Sequence, residues 1–450
     1  LSWVPFISDR EFLQSWGFPN ISPCNRNKSC DSRAQLMNFG FVSTRFAGTD
    51  GVSLEAAKWA EVLWKEGHVS HWFSGESDRQ PVISMVVPEA YFGHESILEI
   101  DAEIWETETR SREVTGRIHE LTALLKAALY DFAEQFSIDV LIPQNALTIP
   151  MNIPLGLAIT EFLAETGMPC IAHHHDFFWE RSRFSNSGEK DFLDAAFPPS
   201  LPNMQHVVIN SHAQTEISRR KGVTATLIPN VFNFEDPAPG IDDYNADFKK
   251  EIGLAEDDIL ILQPTRVVPR KGIEHAIELV RALENPKCKL VISHSAGDEG
   301  FEYLEKLERL APEAGIEMLM VADRVDEQRG KTADGKKVYT LWDAYPHADF
   351  VTYPSLIEGF GNALLESVYF RKPTLVNRYS VYVEDIEPKG FRFPSINGLV
   401  TKKVVKEVRR SIEDAEYRKT VVDQNFKIAK KHYGYKALGR LLKGCVEKVS

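Results

Sequence analysis

The order of apolar segments constrains this chain more than any other feature. From Phe39 onward, short strand-like runs alternate with longer stretches whose apolar residues recur at helical spacing. FGFVST reads as a strand, and GVSLEAAKWAEVLWKEG as an amphipathic helix stopped by Gly67. VSHWFSG, DVLIPQ, PCIAHHHD and HVVINS are further strands, separated by the helices SREVTGRIHELTALLKAALYDFAEQF, IPLGLAITEFLAETG and, after them, HAQTEISRRKG. Such alternation predicts an α/β domain built on a parallel sheet. Between Pro229 and Phe248 the period is lost among Pro, Gly and Asp, and then it returns. DILILQPT, KLVISHS, IEMLMVA, VTYPS and PTLVNR supply a second set of strands, interleaved with GIEHAIELVRAL, FEYLEKLERLAPEAG and NALLESVYFRK. The expected fold is two Rossmann-like α/β domains facing each other across a cleft.

A length of 450 residues suits that division. The expected boundaries are an N-terminal domain over 37–230, a linker over 231–250, a C-terminal domain over 251–425, and a final helix over 426–450 that packs back on the first domain. Residues 1–36 carry no such period. Met37 leads straight into the first strand, so this segment reads as an extension or expression artefact, the alternative being a hook packed on the domain. The sequons at Asn20 and Asn27 are short matches of a kind common by chance. Five cysteines (Cys24, Cys30, Cys170, Cys288 and Cys445) without a paired C-x-x-C fit a reducing, cytoplasmic setting better than a disulfide framework. The formal net charge of -13 argues against sequence-independent binding to nucleic acid or anionic lipid. The longest mostly apolar stretch, LIPQNALTIPMNIPLGLAI, is interrupted by Asn, Gln and Pro and makes a poor membrane span.

Ligands of open α/β sheets bind beyond the carboxyl ends of the strands, which selects the loops to read. After DILILQP comes TRVVPRKGIEHA, in which Arg266 and Lys271 could neutralise a diphosphate; the alternative is a solvated basic turn. After VTYPS comes EGFGNALLES, a Gly-rich turn that opens a helix. Free amides and the helix dipole favour an anion there, contributed by Gly359, Phe360, Gly361, Asn362 and Ala363. Yet Glu358 and Glu366 flank that turn and would repel a bare phosphate. The two acids make sense if the ligand also offers hydroxyls, which carboxylates accept well: a sugar on one side of the diphosphate and a ribose on the other.

Arg266 and Lys271-Gly272 together with Glu358 and Glu366 around Gly-Phe-Gly resemble the donor signature of retaining GT-B glycosyltransferases of family 4 (glycosyl transferases group 1). INSHAQTEISRRKG followed by TLIPNVF is similar to that family's segment before the linker. The resemblance covers residues 37–450 and implies the GT-B fold, with a hexose moved from a nucleoside-diphosphate sugar (UDP- or GDP-linked) to a small soluble hydroxyl acceptor. A sugar, a sugar phosphate and a glycerate-type solute all fit as acceptor. In GTDGVSLEA, Gly51 matches the family's Gly-rich loop, where backbone approaches the donor phosphate; a turn capped by Ser53 is the alternative.

HHHDFFWERSRF invites a metal reading, but successive strand residues alternate faces and three in a row do not converge on one ion. The pattern instead resembles the family's strand-end histidine that contacts the donor hexose, with His175 the best match and His173 or His174 the alternatives in register. His175, Glu358, Arg266 and Lys271 are the expected catalytic set. Asp50, Asn145, Asp176 and Arg181 are the acceptor candidates; Arg181 and Arg183 have the alternative of pairing with Glu180, and Asn145 with Thr148 that of building a buried Pro-rich turn.

The expectation includes no tightly bound cofactor, the nucleotide sugar as co-substrate, room for Mg2+ stimulation, and a homo-oligomer left open. A double displacement needs a carboxylate nucleophile beneath the anomeric carbon, and none stands out, so same-face transfer is expected. The rival enzyme is a non-hydrolysing sugar-nucleotide epimerase of similar architecture. A dinucleotide dehydrogenase fails because Leu364 stands where G-x-G-x-x-G needs its third Gly. A glycan-binding protein without catalysis would not need both acids beside both cations.

Overall fold

A computed structural model describes residues 36–48, 50–184, 188–296 and 301–449. The readings placed on Asn20, Asn27, Cys24, Cys30 and the rest of 1–35 lie outside the described residues, as does Thr49 of the Gly-rich loop.

In the first domain the elements run β1 (Asn38–Val42), α1 (Gly51–Lys65), β2 (Val69–Ser74), β3 (Ser84–Val86), α2 (Arg112–Gln135), β4 (Val140–Pro143), α3 (Ile153–Thr166), β5 (Cys170–His174), β6 (Met204–Val208), α4 (Ser211–Lys221) and β7 (Ala225–Leu227). The strands pair in parallel in the order β3-β2-β1-β4-β5-β6-β7. Both faces are covered, so β1 is apolar on both. Phe39 and Phe41 pack with Trp59 of α1 on one side, and Val42 packs with Leu125, Leu129 and Phe132 of α2 on the other. Gly40 sits on the second side because a Cβ there would come within 2.8 Å of the Phe132 ring.

The second domain repeats the scheme with β8 (Ile259–Gln263), α5 (Ile273–Leu283), β9 (Cys288–Ile292), α6 (Phe301–Glu313), β10 (Met318–Met320), β11 (Phe350–Tyr353), α7 (Asn362–Tyr369), β12 (Thr374–Asn377), β13 (Ser395–Ile396), α8 (Lys402–Glu413) and α9 (Ala415–Tyr433). Its order is β10-β9-β8-β11-β12-β13, again all parallel. Each sheet therefore reverses direction beside its first strand, and the crevice at that switch point is where ligands of such sheets bind. The two parallel-sheet domains give the chain a GT-B-like fold.

Met37–Ser450 forms one unit. The chain crosses between the sheets twice, side by side. On the way out, Phe232 and Phe234 enter the second core among Tyr369 and Tyr433. On the way back, the Phe232 amide donates to the Tyr433 carbonyl at 2.8 Å. The return crossing falls at Gly434, where a Cβ would meet the Lys430 carbonyl at 2.4 Å. Beyond it α10 (Tyr435–Val449) buries Leu438, Leu442 and Cys445 against β1, α1 and Val207 of the first domain.

Candidate active site

The loops after β8 and β11 are fastened to each other at the second sheet's switch point. Leu356 donates its amide to the Arg270 carbonyl at 2.8 Å. Gly272 has a φ of +59°, and a Cβ there would sit 2.6 Å from the Pro354 carbonyl, so only glycine lets the loops meet this closely. Lys271 is thereby buried beside Glu358, and the two form an ion pair, with Arg270 3.4 Å away from the same carboxylate. Burial alone would raise the Glu358 pKa, but Lys271, Ser355 and Arg270 hold it below the usual carboxylate range. Burial pulls Lys271 down, with Glu358 opposing. The two residues given separate tasks by their spacing are each other's partner. Arg266 is exposed, and among the described residues no side-chain partner holds it. It lies near enough to bear on Lys271 and on His294.

The Gly-Phe-Gly turn is held from below. Phe360 is buried against Tyr433, and the Tyr379 hydroxyl donates to the Phe360 carbonyl at 2.7 Å. Gly361 has a φ of +126°, and a Cβ there would come within 2.5 Å of the Tyr379 hydroxyl. Asn362 and Ala363 open α7, whose first amides have no intrahelical acceptor. Glu366 lies one turn in and accepts from the buried Tyr345 hydroxyl at 3.2 Å. Burial raises its pKa, opposed by Lys58 and by Tyr345.

On the first-domain side, the three histidines separate as strand geometry requires. His173 stacks on Trp59 at 4.1 Å and its Nδ1 meets Gln144 Oε1 at 2.9 Å. His174 faces the other way, its Nε2 at 2.9 Å from Nδ1 of His206. His175 comes last, at the strand end, 3.3 Å from the same Gln144 oxygen. A Cβ on Gly359 would lie 3.8 Å from the His175 carbonyl, so this histidine borders the turn of the other domain. Burial lowers the His175 pKa to about 4, with Asp176 and Asp50 opposing and Lys58 adding to it. The imidazole is neutral at pH 7 and offers one donor and one acceptor. Among the described residues no group of three or more His, Cys, Asp or Glu side chains could hold a metal ion.

The acceptor candidates are mostly engaged with one another. Asp50, not Ser53, caps α1: its carboxylate accepts from the Val52 and Ser53 amides at 3.0 and 3.1 Å and from the Ser53 hydroxyl. The helix starts three residues ahead of where a Ser53 cap would place it, so Asp50 takes the cap and Gly51 becomes the helix's exposed first residue with open space around it. Asn145 donates to Asp176 at 2.7 Å while its oxygen accepts from Thr148 and the His175 amide. Arg181 pairs with Asp176 and Arg183 with Asp101, not with Glu180.

Three cross-domain contacts involve residues whose part at the site the spacing did not show. Asn210, the N-cap of α4, donates its side-chain amide to the Gly359 carbonyl at 2.7 Å. Asn230 reaches the Asn362 side chain at 2.9 Å. Ser211 donates its amide to Asp385 at 2.9 Å. An Asn before a helix reads only as a cap; its spare donor has no sequence signature. Lys58, Arg270, Gln144 and Tyr345 were missed for the same reason.

Two facing parallel-sheet domains with the site loops at the strand ends define the class, a GT-B-type transferase. Residues 245–427 match the family described as Glycosyl transferases group 1. The chain is 30% identical over 443 residues to the mannosylglucosylglycerate synthase of Thermotoga maritima, covering 90% of this chain and 99% of that one. It is 32% identical over 384 residues to the protein of the same name from Petrotoga mobilis, covering 80% and 86%. Among solved structures, a glycosyltransferase from Rickettsia africae superposes with a TM-score of 0.65 at 12% identity, over 92% of this chain and 99% of that one. HepE from Anabaena in complex with UDP-glucose gives 0.61 at 12%, over 92% and 100%. The chain belongs to the glycosyl transferases group 1 family, family 4, and is a retaining hexosyltransferase of GT-B fold. Donors in this family are nucleotide sugars. Among the described residues no helix is long and apolar enough to cross a membrane.

Proposed function

We propose that the enzyme moves a mannosyl unit from a nucleoside-diphosphate sugar to a glucosylglycerate-type acceptor. The near end-to-end match to two mannosylglucosylglycerate synthases carries this reading, because it spans the acceptor-side domain as well as the donor-side one. In this reading Arg266, Lys271 and the amides from Gly359 to Ala363 take the diphosphate, and Glu358 and Glu366 take hydroxyls at its two ends. Gly51 lies beside the phosphate at the mouth of α1, and His175 meets the hexose. The acceptor's reacting hydroxyl bonds to the anomeric carbon on the face from which the diphosphate departs, and its proton passes to the leaving phosphate oxygen. Stabilising that leaving group is the main catalytic demand. The Glu358 carboxylate, tied to two cations, is a poor nucleophile for a covalent route. Mg2+ would act only as a stimulant, since the cations already neutralise the diphosphate. A reducing cytoplasm suits the buried, unpaired Cys170, Cys288 and Cys445.

The test has two stages. Thermal stabilisation by UDP, GDP, ADP and dTDP, with NAD as control, identifies the donor base; one diphosphate should stabilise selectively. The matching nucleotide mannose and glucosylglycerate should then give a disaccharide-glycerate product with the donor's anomeric configuration. Conversion of the nucleotide sugar with no acceptor present would favour the epimerase instead, and a response to NAD alone would remove the donor assignment.

A further inference from the structure

We propose that Lys58, on α1 of the first domain, is a positioning residue for Glu366 of the second domain and completes the donor pocket from across the domain boundary. The inference rests on the reading that Glu366 receives a hydroxyl of the nucleotide sugar.

Lys58 is a mostly buried cation, its side chain 18% exposed, to which the proposed mechanism assigns no task. Its ammonium donates to the fully buried Glu55 and, at 2.7 Å, to the Val231 carbonyl. Glu55 in turn accepts from the Val231 amide at 3.4 Å. The pair therefore fastens the outward crossing segment to α1. One residue before Val231, Asn230 bonds Asn362, the first residue of α7. Asn362 and Glu366 are four apart on that helix and so share a face. The face that meets Asn230 is the face that carries Glu366, which turns the carboxylate towards the first domain and Lys58.

Charge leads to the same pairing. Glu366 is drawn from water, and among the described residues the one hydrogen bond to its carboxylate is from the neutral Tyr345 hydroxyl. A carboxylate so placed needs a cation nearby to remain a strong acceptor. Lys58 is the positive group that bears on it. The charged and titratable groups around the pair are Tyr345 on the second domain, and Glu55 and His175 on the first. Glu55 satisfies part of the lysine's charge but is bonded to it by geometry within one helix turn, leaving the ammonium fixed in place as a local source of field. The donor-binding acid of one domain is thus set by the other, and the pocket is complete only while α1, the crossing segment and α7 lie together.

Removing Lys58 alone would strand the Glu55 charge in the core, so the informative variant neutralises both, Glu55→Gln with Lys58→Met. Expected is a folded protein whose KM for the nucleotide sugar rises about tenfold while kcat stays within about threefold, with acceptor KM unchanged. Lys58→Arg should keep the donor KM within about twofold of wild type, because the charge is retained. Glu366→Gln should raise the donor KM as well, and combining it with the double change should add little further, as coupled residues do. If the double variant binds donor as wild type does while Glu366→Gln does not, Lys58 serves only to pair Glu55 and the inference is wrong. If Glu366→Gln itself leaves donor KM unchanged, the donor-site reading falls and the inference with it.

Discussion

Arg266, Lys271, Glu358 and Glu366 on the second domain and Asp50, Asn145, Asp176 and Arg181 on the first are the residues proposed for donor and acceptor, and they use their polar groups differently. The second-domain residues come from loops fixed by glycines with positive φ and by buried tyrosines; Lys271 and Glu358 pair with each other, while Arg266 is exposed and, among the described residues, the Glu366 carboxylate accepts a single hydrogen bond. The first-domain residues close on one another. Asp50 caps a helix, Asn145 ties the loop after β4 to the end of β5, and Asp176 holds Arg181. Polar residues at a strand end can read a ligand or build the loop that reads it. The second-domain loops keep Arg266 open to solvent, and the first-domain loops spend their polar groups mostly on one another.

The largest test of that contrast is Glu358→Gln. It removes the charge that pairs with buried Lys271 and weakens a hydroxyl acceptor at once, so kcat should fall by about a hundredfold or more. Steady-state transfer assays measure it, and mass spectrometry of the wild-type enzyme with a slow fluorinated donor should find no glycosyl-enzyme. A covalent adduct on Glu358 would overturn same-face transfer. Next comes Gly361→Ala. With a φ of +126° and the Tyr379 hydroxyl 2.5 Å from the new Cβ, the turn must shift. A loss of roughly 1–3 kcal/mol in stability is expected, with a raised donor KM. Unchanged denaturation and kinetics would mean that the turn is not held rigidly and takes no part in donor binding.

On the first-domain side the contrast predicts separable effects. Asn145→Ala should cost about 1–3 kcal/mol in stability, since it leaves Thr148, Asp176 and the His175 amide without their common partner. Arg181→Ala should change acceptor KM by less than about threefold, as the loss of an exposed ion pair does. A tenfold or greater rise in acceptor KM for Arg181→Ala, with melting temperature unchanged, would erase the distinction between the two sides.

The fold was legible because it rests on periodicity: alternation of strand and helix, broken once, is enough to give two parallel-sheet domains. The two loops proposed for the donor were picked out by Gly at the turns and cations five residues apart on one loop, and the structure brings them together at the switch point. What escaped was pairing between distant positions. That Lys271 meets Glu358, 87 residues away, follows from two loops sharing a switch point and not from either spacing. Helix capping gave a similar miss: both Asp50 and Ser53 are good caps by type, and only the observed start of α1 decides between them.

The smallest effect lies elsewhere on the first domain, where a buried acid does not join the polar network that its neighbours build. Glu189 is fully buried, and among the described residues neither carboxyl oxygen has a hydrogen-bond partner. Burial raises its pKa to about 7, with Arg110 opposing and Asp191 and Asp101 adding to the rise. A carboxyl whose folded pKa lies above its unfolded value binds its proton more tightly when folded. Its contribution to stability is therefore complete below the unfolded value of 4.5 and declines as pH rises through about 7. Glu189→Gln cannot ionise and should flatten that decline. Melting temperatures measured from pH 5 to pH 8 should show the variant losing less stability than wild type across the window, with transfer activity at fixed pH little changed. Parallel curves for the two proteins would mean that Glu189 is charged and compensated in the folded state, and that the first domain binds its buried acids as completely as it binds Asp50 and Asp176.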